Sequence, residues 1–163
     1  MQRLLRTLCL GLLCTLLLSS CAGRAAAPAC LLTDFCAAYG DMPSGQVYRS
    51  GAAEWEKAYL SPALSDSLFL EDNGENAFSL CTEYAIFLSS SFEGGEICFL
   101  TCAGREAAAR VAEMCAARLA RVKQARPGAA ILRDACVLRR GHTVVLLLLP
   151  DNSRAKEICE RLL

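Results

Sequence analysis

The segment that most restricts the fold is Val144 to Leu149, in which six consecutive residues are apolar. Successive side chains of a β-strand point to opposite faces of its sheet, so a strand with one wet face alternates apolar and polar residues. This run does not alternate, which predicts a central strand covered on both faces. We expect helices beginning near Arg105 and Ser153 to cover one face. The N-terminal region remains for the other face, through Leu31, Phe35 and Trp55.

The residues after Leu80 predict a hairpin followed by a helix. Tyr84 to Ser90 and Glu96 to Cys102 are rich in strand-forming residues, and Glu93-Gly94-Gly95 between them is a hairpin signal. A helix then begins near Arg105 and ends before Pro127-Gly128. Its apolar stripe consists of Val111, Cys115, Leu119 and Val122.

The same order of elements then repeats. Arg133 to Arg140 and Thr143 to Leu149 predict a second hairpin around Gly141-His142. Pro150 ends that strand, and Asp151 or Ser153 caps a last helix. The buried stripe of this helix consists of Ala155, Ile158, Cys159 and Leu162. The resulting order, ββαββα, predicts an α+β fold in which helices pack on an antiparallel sheet.

A small irregular and helical region precedes this unit. Cys30 to Tyr39 has helical spacing and is closed by Gly40. Gln46 to Arg49 favours a short strand, and a brief helix runs from Ser61-Pro62 to about Phe69 with the serine as its N-cap.

The first 29 residues differ in composition from the rest. Arg3 and Arg6 precede an apolar run from Leu8 to Leu18, which is the pattern of a signal peptide. The run is about half as long as the roughly 20 residues that a spanning helix needs. We therefore divide the chain into a signal peptide at 1–20, a lipid-anchored tether at 21–29 and a single α+β domain at 30–163, best defined over 80–163.

Leu18-Ser19-Ser20-Cys21 resembles the lipobox of bacterial lipoproteins, in which small residues precede a cysteine that is acylated. The resemblance implies that Cys21 is the lipid attachment site and the first residue of the mature protein. Two or three acyl chains, of the palmitate type, would hold the protein stably at the extracytoplasmic face of the cell membrane. The alternative is an ordinary secretory signal cleaved after Ala22 or Ala25.

Charge argues against one class of partner. The formal net charge of the 163-residue chain is zero, which disfavours nucleic-acid binding. Acids are concentrated before residue 100 and bases after it, and we expect the two halves to pack together and compensate each other. The alternative is a basic face that binds lipid phosphates or an anionic wall polymer, formed by Arg105, Arg110, Arg118, Arg121, Lys123 and Arg126.

Cysteine is abundant, and eight cysteines follow Cys21. An even count in a small exported protein favours disulfides. However, no Cys-x-x-Cys occurs, most of these residues are in phase with apolar neighbours, and Cys98 and Cys102 lie about 13 Å apart along one strand. We therefore expect mainly reduced cysteines that serve as small core residues.

Few residues suggest catalysis. His142 is the only histidine, and Cys136 on the same hairpin is its candidate thiol partner. A turn histidine is more often a solvated polar residue, and the scattered cysteines lack the spacing of a zinc site. No phosphate-binding loop, dinucleotide fingerprint or nucleophile elbow occurs in the sequence, so we predict no catalytic residue, cofactor or metal.

Trp55, the only tryptophan, stands between Glu54 and Glu56. It could anchor a partner, because tryptophan is enriched at binding hot spots. We expect it instead to pack the N-terminal region against the sheet.

The pattern of the C-terminal half resembles a family of small Firmicutes lipoproteins, domain of unknown function 4358. The resemblance rests on Tyr84 to Leu88, Glu96 to Phe99, Ala107 to Leu119 and Val144 to Asp151, together with the lipobox. It implies an envelope location and an α+β fold, and it carries over no catalytic residue. Two functions stay open: a non-enzymatic module that binds an envelope protein or wall polymer, or an envelope hydrolase or thiol-dependent enzyme using Cys136 and His142.

Overall fold

A computed structural model describes residues 26–71, 73–91 and 95–163. Within these ranges, five strands form one antiparallel sheet in the order β1-β2-β3-β5-β4. The strands are β1 (Gly45–Arg49), β2 (Cys81–Ser89), β3 (Glu96–Cys102), β4 (Cys136–Arg140) and β5 (Thr143–Leu148). The helices are α1 (Pro28–Tyr39), α2 (Pro62–Phe69), α3 (Arg105–Ala125) and α4 (Asn152–Leu162), with short 3-10 turns at Ala77–Leu80 and Ala130–Leu132. The predicted α+β fold is confirmed.

Strand β5 is buried on both faces, as its sequence predicts. It lies between β3 and β4, and all six of its residues are buried. Val144, Leu146 and Leu148 belong to one hydrophobic cluster, whereas Val145 and Leu147 belong to the other. Two separate cores therefore meet on the two sides of this strand, and the sheet is the middle of three layers.

The helices that cover the sheet are distributed differently from our expectation. Helix α3 packs over one face together with α2, through residues such as Met114 and Phe69. Helix α4 packs over the opposite face together with α1, through Ile158 and Phe35. Placing α3 and α4 on the same face was therefore wrong. The connectivity explains this, because β3 and β4 are parallel to each other, so α3 crosses one face between them and leaves the other to α4.

Two of the predicted helix starts are confirmed in atomic detail. The Ser61 hydroxyl accepts a hydrogen bond from the Leu64 N–H at 3.3 Å, and the Asp151 carboxylate accepts one from the Arg154 N–H at 3.0 Å. Asp151, and not Ser153, is thus the N-cap of α4. Asn152 is buried behind it, where its amide donates to the carbonyls of Ile131 and Arg133.

Several predicted boundaries need correction. Helix α1 begins at Pro28, so the last two residues of the expected tether belong to the domain. Strand β2 begins at Cys81, and β4 begins only at Cys136 because a 3-10 turn precedes it. Of the expected helical stripes, Val122 and Leu162 are only half-buried.

Candidate functional site

The most exposed large apolar side chain among the described residues is Trp55, at 88 % of its maximum. Its expected packing against the sheet is therefore wrong. Trp55 lies in a loop of turns between β1 and α2, where the Glu56 N–H donates to the Ala53 carbonyl at 2.8 Å and the Tyr59 N–H donates to the Glu56 carbonyl at 3.1 Å. These local bonds define the loop conformation without burying the indole ring.

The loop is fastened to the edge strand β1. The Arg49 N–H donates to the Ala58 carbonyl at 3.0 Å, and the Arg49 guanidinium pairs with Glu56 at 3.3 Å. The Gln46 side-chain amide donates to the Lys57 carbonyl. We call residues 45–59 the β1 edge surface. It presents Trp55 and the 41 % exposed Val47 at one border of the sheet.

A largely buried ion pair lies under α3. Arg118 forms a two-pronged ion pair with Glu96, in which its Nε donates to Oε1 at 2.6 Å and its Nη2 donates to Oε2. The side chains are 14 % and 7 % exposed. Nη1 donates to the Leu68 carbonyl at 3.0 Å, and the guanidinium lies 5.4 Å from the centre of the Phe69 ring. Burial by itself lowers the pKa of Arg118, but the hydrogen bonds and the negative charge of Glu96 outweigh this and leave the pKa raised.

This ion pair borders a groove of about 450 Å³ that is also lined by Ser89, Ser90 and Ser91. Each nitrogen of the Arg118 guanidinium and both oxygens of the Glu96 carboxylate already has a partner within the protein. The pair is thus satisfied by its own surroundings. We interpret it as a structural link between α3 and β3, and no acid or base chemistry follows from it.

The proposed basic face is partly neutralised. Arg110 pairs with Glu71 at 2.7 Å and with Glu75 at 2.8 Å, and Arg118 pairs with Glu96. In all three pairs a base from the second half of the chain contacts an acid from the first half. The compensating arrangement is therefore confirmed for these two arginines. Three other residues of the proposed basic face, Arg105, Arg121 and Lys123, have exposed side chains.

The structure separates the two residues of the alternative thiol enzyme. Cys136 pairs with Leu147 at one end of the β4–β5 hairpin, whereas His142 stands in the exposed turn at the other end. Four strand residues at about 3.4 Å each place their backbones roughly 14 Å apart. A nucleophile and its base need hydrogen-bond contact, so this pair forms no catalytic dyad. Burial also raises the pKa of the Cys136 thiol, which disfavours the thiolate.

The cysteines are less uniformly buried than expected. Cys98, Cys102, Cys115 and Cys159 are buried, whereas Cys36, Cys81 and Cys136 are half-buried and Cys30 is exposed. Burial raises the pKa of Cys159 to about 12. Within the described ranges, no group of three or more histidine, cysteine or acidic residues is arranged to hold a metal ion.

Comparison of the chain with protein-family models, with curated proteins and with solved structures found no match. The resemblance to domain of unknown function 4358 stays a prediction. Cys21 and the expected signal peptide at 1–20 lie outside the described residues. Among the helices that the structure describes, none is long and apolar enough to cross a membrane.

Proposed function

We propose that this chain is a bacterial envelope lipoprotein anchored through acylated Cys21, and that its domain is a non-enzymatic module that binds another envelope protein through the β1 edge surface. The lipobox and the charged, apolar leader support the anchor. The separation of Cys136 from His142 and the internal satisfaction of the Glu96–Arg118 pair favour binding over catalysis.

The exposure of Trp55 carries this proposal. An indole that leaves 88 % of its surface in water gives the folded monomer almost no burial energy. The loop that holds it is nevertheless ordered by hydrogen bonds to β1 and within itself. A side chain on a pre-ordered loop needs little further backbone ordering on binding, and tryptophan is among the residues enriched at binding hot spots.

Charge near Trp55 selects the kind of partner. Glu54 is exposed beside it, and the Glu56 carboxylate is 41 % exposed while it pairs with Arg49. The β1 edge surface thus has two exposed acids, Glu54 and Glu56, and two exposed bases, Arg49 and Lys57. A balanced surface with an aromatic side chain suits a protein patch better than a strongly anionic wall polymer or lipid surface. The exposed Arg105, Arg121 and Lys123 would suit an anionic polymer. Two other members of that basic face, Arg110 and Arg118, are already paired with acids of the protein.

The experiment compares captures from chemically cross-linked envelopes. Full-length protein with a C-terminal tag is expressed as wild type, as Trp55→Ala and as Leu70→Ala. Leu70 is a matched control because it is also an exposed apolar residue, at 44 %, but lies outside the β1 edge surface. We expect a protein that is captured by wild type and Leu70→Ala and lost with Trp55→Ala. Equal capture by all three would contradict the assignment of the binding surface.

A further inference from the structure

Cys81 and Cys102 are the only cysteines in the described residues that face each other directly across two strands. The Cys102 N–H donates to the His142 carbonyl at 2.9 Å, on the side away from β2. Cys81 and Cys102 therefore form a non-hydrogen-bonded pair, the type in which Cα atoms lie about 4.5 Å apart and side chains are closest. This separation is within the range of about 4.4–6.8 Å that a disulfide requires.

A β-bulge creates this juxtaposition. From Leu88 back to Glu83 the register between β2 and β3 is regular, and its continuation would set Cys81 opposite Ala103. The extra residue Thr82 shifts the register by one position and turns Cys81 toward the α3 side of the sheet, where Cys102 also points. The bulge thus moves Cys81 opposite Cys102.

We propose that Cys81 and Cys102 form a reversible disulfide that staples the open end of the β2–β3 hairpin when the protein meets a disulfide oxidant. Cys81 is half-buried and Cys102 is 2 % exposed, so the oxidant reaches Cys81 first. The sequence-based expectation of reduced cysteines applies to protein kept without an oxidant, and this pair is the exception once an oxidant is present.

The reaction is an ordinary thiol–disulfide exchange. Cys81 attacks one sulfur of the oxidant and releases a small thiol, which leaves a mixed disulfide on Cys81. Cys102 then attacks the Cys81 sulfur and releases the second small thiol. Two protein S–H bonds and the S–S bond of the oxidant break, one protein S–S bond forms, and both protons leave on the released thiols. The protein loses two electrons and the oxidant gains them.

The two thiols influence each other's ionisation. The proximity of the two thiols lowers the pKa of Cys102 and raises that of Cys81. Access rather than acidity therefore makes Cys81 the site of the first attack, and Cys102 is the stronger nucleophile of the second. Cys81 also donates to the Ala77 carbonyl at 3.2 Å, which holds its sulfur near the end of the strand. Buried Cys98 and Cys115 lie in the same hydrophobic cluster and are the competing partners.

The experiment uses the full mature protein in detergent, reduced, freed of reductant and exposed to oxidised glutathione. Remaining thiols are alkylated after denaturation, and unreduced peptides are mapped by mass spectrometry. We expect the loss of two thiols, one bridge between Cys81 and Cys102, and a rise in Tm of roughly 10 °C that dithiothreitol reverses.

Variants define the controls. Cys81→Ala, at a half-buried position, should lose both the bridge and the rise in Tm, whereas Cys159→Ala in the opposite core should keep both. Three outcomes would overturn the proposal: no loss of thiols, a glutathione adduct confined to exposed Cys30, or a bridge from Cys102 to Cys115.

Discussion

Replacing Arg118 by methionine should destabilise the domain by an amount that depends on pH. Methionine keeps an unbranched apolar stem but removes the charge. The change leaves the Glu96 carboxylate, whose side chain is 7 % exposed, without its partner. It also removes the hydrogen bond to the Leu68 carbonyl and the contact with the Phe69 ring. Breaking one side of a buried ion pair typically costs about 3–5 kcal/mol.

The carboxyl group itself limits this cost, because it can take up a proton. An ordinary glutamate titrates near pH 4.3, so protonating one costs about 3.7 kcal/mol at pH 7 and about 1 kcal/mol at pH 5. Adding about 1 kcal/mol for the other lost contacts gives an expected loss of about 5 kcal/mol at pH 7 and about 2 kcal/mol at pH 5. The folded variant then holds a proton that the unfolded chain releases, so its stability relative to wild type falls as pH rises.

Urea unfolding followed by far-UV circular dichroism measures this loss. Fluorescence is a poorer probe because the only tryptophan, Trp55, is already exposed in the folded state. Arg110→Met is the matched control on the same helix and should cost less, because Arg110 is 36 % exposed and its partners Glu71 and Glu75 are 18 % and 33 % exposed, against 14 % and 7 % for Arg118 and Glu96. The double variant Glu96→Leu with Arg118→Met should regain most of the stability. If Arg118→Met cost no more than Arg110→Met at both pH values, the pair would not be the buried link described above.

Two further predictions concern the core and the anchor. Leu147→Asp places a carboxylate in a fully buried position of β5 and should cost several kcal/mol, which is enough to unfold the domain. The control Arg139→Asp, at the exposed end of β4, should cost little. A melting temperature of Leu147→Asp within a few degrees of wild type would contradict the layered architecture. Cys21→Ser should abolish acylation and leave the precursor unprocessed, and labelling of the variant by an alkyne fatty acid in growing cells would refute the lipoprotein assignment.

The elements that could be predicted from the sequence are those whose signals are local. The brief helix α2 has the predicted bounds because Ser61 supplies the cap and Pro62 the first position. Strand β5 could be identified as internal because its residues need apolar surroundings on both sides. In both cases a few neighbouring residues contain all the necessary information.

Features that depend on distant residues could not be predicted in the same way. The faces occupied by α3 and α4 follow from the insertion of β5 between β3 and β4, which is a property of strand order. The Cys81–Cys102 pair depends on one bulge residue, Thr82, which changes the register between β2 and β3. From the sequence only the spacing of Cys98 and Cys102 along β3 could be judged, and these two residues are too far apart for a bridge. Thr82 carries no sequence signal that would mark a bulge.

The early start of α1 changes what a lipid anchor at Cys21 would mean for the domain. Because the helix begins at Pro28, where the proline is buried, seven residues from Cys21 to Ala27 would form the connection from an acylated Cys21 to the domain. A fully extended chain of this length spans at most about 25 Å, so it would hold the domain within that distance of the bilayer surface. A domain held so closely reaches only partners that are themselves near the bilayer. The exposed Trp55 is therefore better suited to a neighbouring membrane-anchored protein than to a distant part of the cell wall.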